Sequence, residues 1–256
     1  MFIDTHAHIN HEMLANKKEE IIDSLGKELK FLICPSYDKT TCYTTLEFAN
    51  KYKKVYGALA IHPSEEKTWD EEIKKFIIDN VKNDKIVAIG EYGLDYHYEP
   101  YNKQGQQRVM LEQLEIAKQS KVPSIFHIRD AFDDFIPIMK ENLQGFSGGV
   151  IHCYDSNVEN AKKLLDLGLM ISFTGLITYK QNDAVREAVK YIPFDRMMFE
   201  TDSPYLAPEP YRGQVCVPQY VSKVYEKVAE IKKIEIEKLQ EIVEKNVKNF
   251  FKKLVI

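Results

Sequence analysis

Phe2-Ile3-Asp4-Thr5-His6-Ala7-His8-Ile9 is the stretch around which the rest of the chain is ordered. Strand side chains alternate with period two, so His6 and His8 face the same way only if this backbone is extended. Phe2 and Ile3 begin an apolar run that Ile9 ends, and the histidine pair then projects from the end of a first strand over residues 2–8. Each neutral imidazole offers one nitrogen lone pair, and a convergent pair is the usual start of a metal site. An isolated H-x-H also has a plain reading, two histidines exposed or satisfied on an N-terminal strand. The rest of the chain decides between them.

Beyond residue 9 the sequence alternates regularly between short β-branched runs and longer amphipathic ones. Further strands are expected at 31–34, 55–61, 86–90, 123–128, 149–154, 169–173 and 196–200. Helices are expected between them, near 12–27, 39–51, 70–82, 103–120, 130–142, 157–167 and 181–191, with two more near 217–231 and 235–254. In the longest internal helix Val109, Met110, Leu114 and Ala117 fall at helical spacing. Eight strand–helix units without a glycine-rich dinucleotide loop predict an α/β fold of the (β/α)8 TIM-barrel type over residues 1–256 as one domain. An open doubly wound sheet is the competing topology.

Composition narrows the function classes. With 256 residues, 44% hydrophobic and 29% charged, the chain suits one large soluble core. No apolar run approaches the ~20 residues of a membrane span, no secretory leader is visible, and four scattered cysteines are expected as reduced thiols in the cytoplasm. No obligate protein partner is evident. A net charge of −4 argues against a general electrostatic grip on nucleic acid but leaves room for a local phosphate site.

The polar residues at the predicted strand ends form a set. Strand one ends in His6 and His8, strand four in Glu91, strand five in His127, strand six in His152 and strand eight in Asp202. In a barrel the catalytic residues come from those ends. Taken singly, His127 or His152 reads as a hydrogen-bonded strand-end histidine and Asp202 as a cap. Together they supply enough ligands for two divalent ions, with Glu91 able to bridge.

The segments DTHAHI at 4–9, GEYGLDY at 90–96, HIRDA at 127–131, HCY at 152–154, ETDSPYLAP at 200–208 and YRG at 211–213 carry a family resemblance. The chain resembles the TatD-type metal-dependent deoxyribonucleases, a branch of the amidohydrolase-like barrels. The resemblance implies one ion on His6, His8, Glu91 and Asp202 and a second on Glu91, His127 and His152. It implies a nuclease on DNA, with 3′–5′ exonuclease action on single-stranded ends. Deacylation of D-aminoacyl-tRNA by some relatives supplies the alternative, an amide or ester hydrolase. A carbamylated lysine would favour carbonyl chemistry, but the strand-four position holds Glu91. A non-catalytic binding barrel is a third reading, against which the intact ligand set argues. Two departures touch no ligand: Gln214-Val215-Cys216-Val217-Pro218 replaces a basic and polar run, and Asp155 adds negative charge after HCY.

Phosphodiester hydrolysis by a metal-activated water assigns Asp202 as base and Glu91 as the residue spacing two ions, which Mg²⁺, Mn²⁺ or Zn²⁺ would suit. Asp4 is either a support for His6 or a solvent-exposed strand residue. Arg129, two residues after His127, and Arg212 are candidate phosphate contacts, and His62 a candidate substrate contact. Tyr92, Tyr96, Tyr98 and Tyr101 are candidates for stacking on unpaired bases, Tyr96 foremost. His97 is expected to be structural, and Asp95 to brace its loop.

Overall fold

A computed structural model describes residues 1–255. Eight parallel strands lie in the order β1 to β8: Phe2–Asp4, Leu29–Pro35, Val55–Leu59, Ile86–Asp95, Ser124–Arg129, Gly149–Ile151, Met170–Phe173 and Met197–Phe199. Between them run α1 (Lys18–Ser24), α2 (Lys39–Lys51), α3 (Glu71–Asn80), α4 (Lys103–Ser120), α5 (Phe132–Glu141), α6 (Val158–Asp166) and α7 (Asp183–Tyr191). Helices α8 (Val221–Lys232) and α9 (Ile236–Phe250) come after β8. This is a (β/α)8 TIM barrel.

The strands read as continuous apolar runs because helices cover their outer faces. All of β3 is buried, and β4 is buried until Asp95. The helices begin where a side chain satisfies a free backbone N–H: Asp38 caps α2, Asp70 caps α3, Asn102 caps α4 and Asn157 caps α6. The first expected helix is instead a 3₁₀ segment, Glu12–Lys17, followed by the short α1.

Closure of the barrel shapes its upper rim. Past Asp4 the chain continues beside the segment after β8. Thr5 N–H donates to Phe199 O at 3.2 Å, Asp202 N–H to His6 O at 2.9 Å and His8 N–H to Ser203 O at 2.8 Å, and Ala7 bridges Ser203. Backbone hydrogen bonds between the first and last strand extensions thus bring His6, His8 and Asp202 to one place.

Strand β4 differs most from expectation. It extends five residues past Gly90, pairing Gly93 with His127 and Asp95 with Arg129 on β5. Gly93 lets the two strands approach closely: its φ is +153°, and a Cβ there would lie 2.1 Å from the His127 carbonyl oxygen. Because the obstructing atom is backbone, Gly93→Ala should force β4 and β5 apart. Thermal unfolding should show a loss of about 2–3 kcal/mol, a fall in Tm of roughly 5–10 °C. A Tm within a degree of wild type would show that the strands accommodate the methyl group.

Candidate metal centre

The structure brings all six expected strand-end residues to one pocket. His6 Nε2 lies 3.4 Å from Glu91 Oε2 and 3.6 Å from Asp202 Oδ1. His8 Nε2 lies 3.2 Å from Glu91 Oε1 and 3.5 Å from Asp202 Oδ1, and 3.3 Å from His6 Nε2. On the other side of Glu91, Oε2 lies 2.9 Å from His152 Nε2 and 3.8 Å from His127 Nδ1, and those two nitrogens are 3.0 Å apart. His6, His8, Glu91 and His152 are buried, while His127 and Asp202 are partly open.

Neighbouring groups fix which nitrogen His8 and His127 turn inward. His8 Nδ1–H donates to Pro35 O at 3.2 Å, leaving Nε2 toward Glu91. His127 Nε2–H donates to Asp95 Oδ2 at 2.9 Å, leaving Nδ1 toward Glu91 and His152. Burial works to raise the Asp95 carboxyl, but the hydrogen bonds from His127 and the His97 N–H outweigh it and hold it at about 2. His62, Asp95 and His127 also approach one another as a group of donors. A cation there would need the same His127 nitrogen that already carries a proton for Asp95, so we read this group as support for His127.

The donor set fits a cation. Two ligands about 2.1 Å from one tetrahedral ion are roughly 3.4 Å apart, close to the separations among His6, His8, Glu91 and Asp202. Glu91 Oε2 is buried with no aligned hydrogen-bond donor, although three imidazole nitrogens lie around it. Burial disfavours the Glu91 anion, yet His152 and His6 hold its carboxyl well below the usual range. Burial likewise opposes charge on His8, but Asp202 and Glu91 push its imidazole up to about 10. Positive charge is what this pocket requires.

A polar layer lies directly below. Asp4, buried, accepts from the backbone N–H groups of His6 at 3.1 Å and Thr201 at 3.0 Å, and from Thr201 Oγ1 at 2.6 Å. Of its two expected roles, the supporting one is the one found. Glu200 accepts from Ser172 Oγ at 2.7 Å and Cys153 N–H at 2.6 Å, and its Oε1 lies 3.4 Å from His152 Nδ1. Sequence reasoning passed over Glu200 in favour of Asp202, although Glu200 immediately follows the apolar Met197-Met198-Phe199. Asp202 itself stands three residues beyond β8, at φ +60°.

The other candidates are more dispersed. The His62 ring lies 4.2 Å from that of His127. Arg129 lies over exposed Tyr98 at 5.1 Å, and Arg212 over Tyr179 at 4.2 Å. Tyr96 donates its hydroxyl to Asp134 at 2.9 Å and stacks on Tyr101 at 4.8 Å. No hydrogen bond, ion pair or ring contact among the described residues links Arg129, Tyr96 or Arg212 to the six-residue cluster. Tyr92 belongs to the core, fully buried with its hydroxyl 2.7 Å from Ser124 Oγ, which removes it from the expected stacking surface. His97 pairs with Asp130 at 2.6 Å. Within Gln214–Pro218, Cys216, Val217 and Pro218 are buried, so most of that departure from the family pattern serves packing.

Comparison with known proteins identifies the family. The family model described as TatD related DNase matches residues 3–252. The chain belongs to the TatD family. YabD of Bacillus subtilis (strain 168), an uncharacterized metal-dependent hydrolase, is 35% identical over 253 residues, covering 98% of this chain and 99% of its own. YcfH of Escherichia coli (strain K12), described in the same words, is 32% identical over 255 residues, covering 97% and 95%. The crystal structure of YjjV, a TatD homolog from Escherichia coli K12, superposes with a TM-score of 0.92 at 25% identity over 98% of each chain. TatD relatives are thus metal-dependent hydrolases with this barrel, and this chain carries a cluster of histidines and carboxylates able to hold metal.

The layer under the cluster yields a stability test. Thr201→Val keeps the shape but leaves the buried Asp4 Oδ2 without its hydroxyl donor. Urea denaturation should show a loss of about 1–3 kcal/mol, most of it restored in Thr201→Ser. Equal stability of the valine variant and wild type would remove Thr201 from the support of this layer.

Proposed function

We propose that this TatD protein is a divalent-metal-dependent deoxyribonuclease that hydrolyses phosphodiester bonds at single-stranded DNA ends, as a 3′–5′ exonuclease. The observation that supports this most is the buried Glu91 carboxylate standing between two sets of inward-facing histidine nitrogens. In this reading His6, His8, Glu91 and Asp202 would hold one ion, and Glu91, His127 and His152 a second. Divalent ions bound there would supply Lewis acidity and make water nucleophilic near neutral pH.

The chain's own residues provide the rest. Asp202 is a carboxylate at the open edge of the pocket: burial opposes its ionisation, but the hydrogen bond from His8 and the nearby histidines hold its carboxyl down. It is therefore ionised at neutral pH and able to orient the attacking water and accept its proton. Glu91 sets the spacing of the two halves of the site. Asp95 and Pro35 O fix the rings of His127 and His8, so the histidines need not reorganise as charge develops. Arg129, two residues beyond His127, and His62, packed on the His127 ring, are the contacts assigned to the phosphate oxygens.

Digestion of 3′-blocked and unblocked single-stranded oligonucleotides, with Mg²⁺, Mn²⁺ or EDTA, tests this reading. The unblocked strand should be trimmed only with metal. Asp202→Asn should lower the rate about 10²–10⁴-fold, and Glu91→Gln should abolish trimming along with metal retention. A metal-loaded wild type that leaves both strands intact would sink the nuclease, and D-aminoacyl-tRNA would then be the substrate to try.

A further inference from the structure

The mouth around the metal centre has two chemically different sides. The ends of β3 to β6 contribute His62, Asp95, Arg129 and Asp155, all polar or charged. The segments after β1, β2 and β8 contribute aromatic rings: His11, Tyr37 and Tyr205. Ring centroids of Tyr37 and Tyr205 lie 5.4 Å and 6.5 Å from His8, so both stand beside a residue of the metal centre. The ring of His11 lies 6.4 Å from Tyr37 and 5.7 Å from Tyr205, completing a three-sided aromatic cup.

Two of the three rings, His11 and Tyr205, are joined by a hydrogen bond. His11 Nδ1 accepts the Met13 N–H at 3.1 Å, which leaves Nε2–H to donate to the Tyr205 hydroxyl at 3.2 Å. The Tyr205 backbone is fixed too, its N–H donating to Asp202 O at 2.9 Å. Yet Tyr205 remains 46% exposed and its neighbour in this network, Met13, 47%. An aromatic ring held by a hydrogen bond and half exposed beside the metal cluster is available for stacking.

We infer that Tyr205, braced by His11, and Tyr37 form a stacking subsite for the unpaired nucleobase of the nucleotide whose phosphate lies on the metal centre. The subsite rests on the phosphodiesterase reading of the metal centre and adds to it the part of the substrate that is recognised. Every base has a π-face, so such a wall grips an end without reading its sequence. A paired base, covered on its faces by its neighbours in the duplex, cannot enter the cup, which makes the single-stranded end a consequence of this wall. Of the expected aromatic cluster near Glu91, Tyr92 is in the core and so takes no part in such a wall.

The test compares thymidine 5′-(p-nitrophenyl phosphate) with the analogue whose sugar lacks the base, and likewise the two 3′-isomers, all with Mn²⁺. The leaving group is common to each pair, so the ratio of kcat/KM reports the base alone. Wild type should prefer the base-bearing compound of one isomer pair by about tenfold or more. Tyr205→Ala should collapse that preference toward unity, chiefly through KM, and Tyr37→Ala should lower it. Tyr205→Phe, which keeps the ring, should retain most of it. Hydrolysis of both members of each pair with no preference for the base overturns the subsite and leaves the phosphodiesterase standing, as does a preference that survives Tyr205→Ala in a folded protein. Failure of wild type to hydrolyse any of the four, with metal bound, overturns the phosphodiesterase and the subsite with it.

Discussion

A carboxylate buried among imidazoles is the constraint on which this structure depends. Glu91 is 4% exposed, and nitrogens of four histidines lie within 3.8 Å of its oxygens. Burying an unpaired anion is costly enough that a group usually neutralises instead. Here the surroundings hold Glu91 ionised, because the burial that opposes the charge is outweighed by His152 and His6. The consequence is a pocket that demands positive charge. Protons on the imidazoles meet that demand only by occupying the nitrogens that point inward. Divalent cations meet it while using those nitrogens as donors, which is why the same arrangement reads as a metal centre.

Holding such a pocket open requires polar groups below it, where an ordinary barrel would have packed hydrocarbon. Asp4, Thr201 and Ser203 form one buried chain of hydrogen bonds, and Thr5, Ser172 and Glu200 another. The first ties the backbone before His6 to the backbone before Asp202, and the second reaches His152. The hydrogen bonds to Asp4 lower the cost of burying it without cancelling it, and burial still pushes its carboxyl up to about 8. The geometry of the pocket is thereby fixed before any substrate arrives. What the layer gives up in stability appears as preorganisation.

This division explains what could be read from the chain alone. The barrel was legible because parallel strands covered on both faces leave near-continuous apolar runs, and the helices between them leave a 3.6-residue period. The six clustered residues were legible because each terminates or interrupts such a run. The supports were harder. Asp95 lies on the same side of β4 as Glu91, four residues on, but the strand's continuation past Gly90 is set by pairing with β5 and not by any local propensity. Glu200 and Asp202 come after the same apolar run, and only the backbone geometry, with Asp202 at φ +60°, decides which reaches the pocket mouth and which turns under it. The cup of His11, Tyr37 and Tyr205 joins three segments far apart in sequence, so no spacing announces it.

The proposed nuclease reading asks a chain of net charge −4 to act on a polyanion. Diffuse attraction is weak here, and some of the Lys and Arg side chains are taken up in helix-surface pairs such as Lys75–Asp79, Lys163–Glu159 and Lys248–Glu244. On that reading, affinity would come from a few short contacts: cations held at the metal centre facing one phosphate, a guanidinium beside it, and a ring against one base. Contacts of that kind engage a terminus, where a single nucleotide can turn into the mouth, more readily than the middle of a duplex, whose grip is built from many phosphates at once. An acidic barrel holding cations at one such centre would thus be better matched to a free end than to a long stretch of nucleic acid.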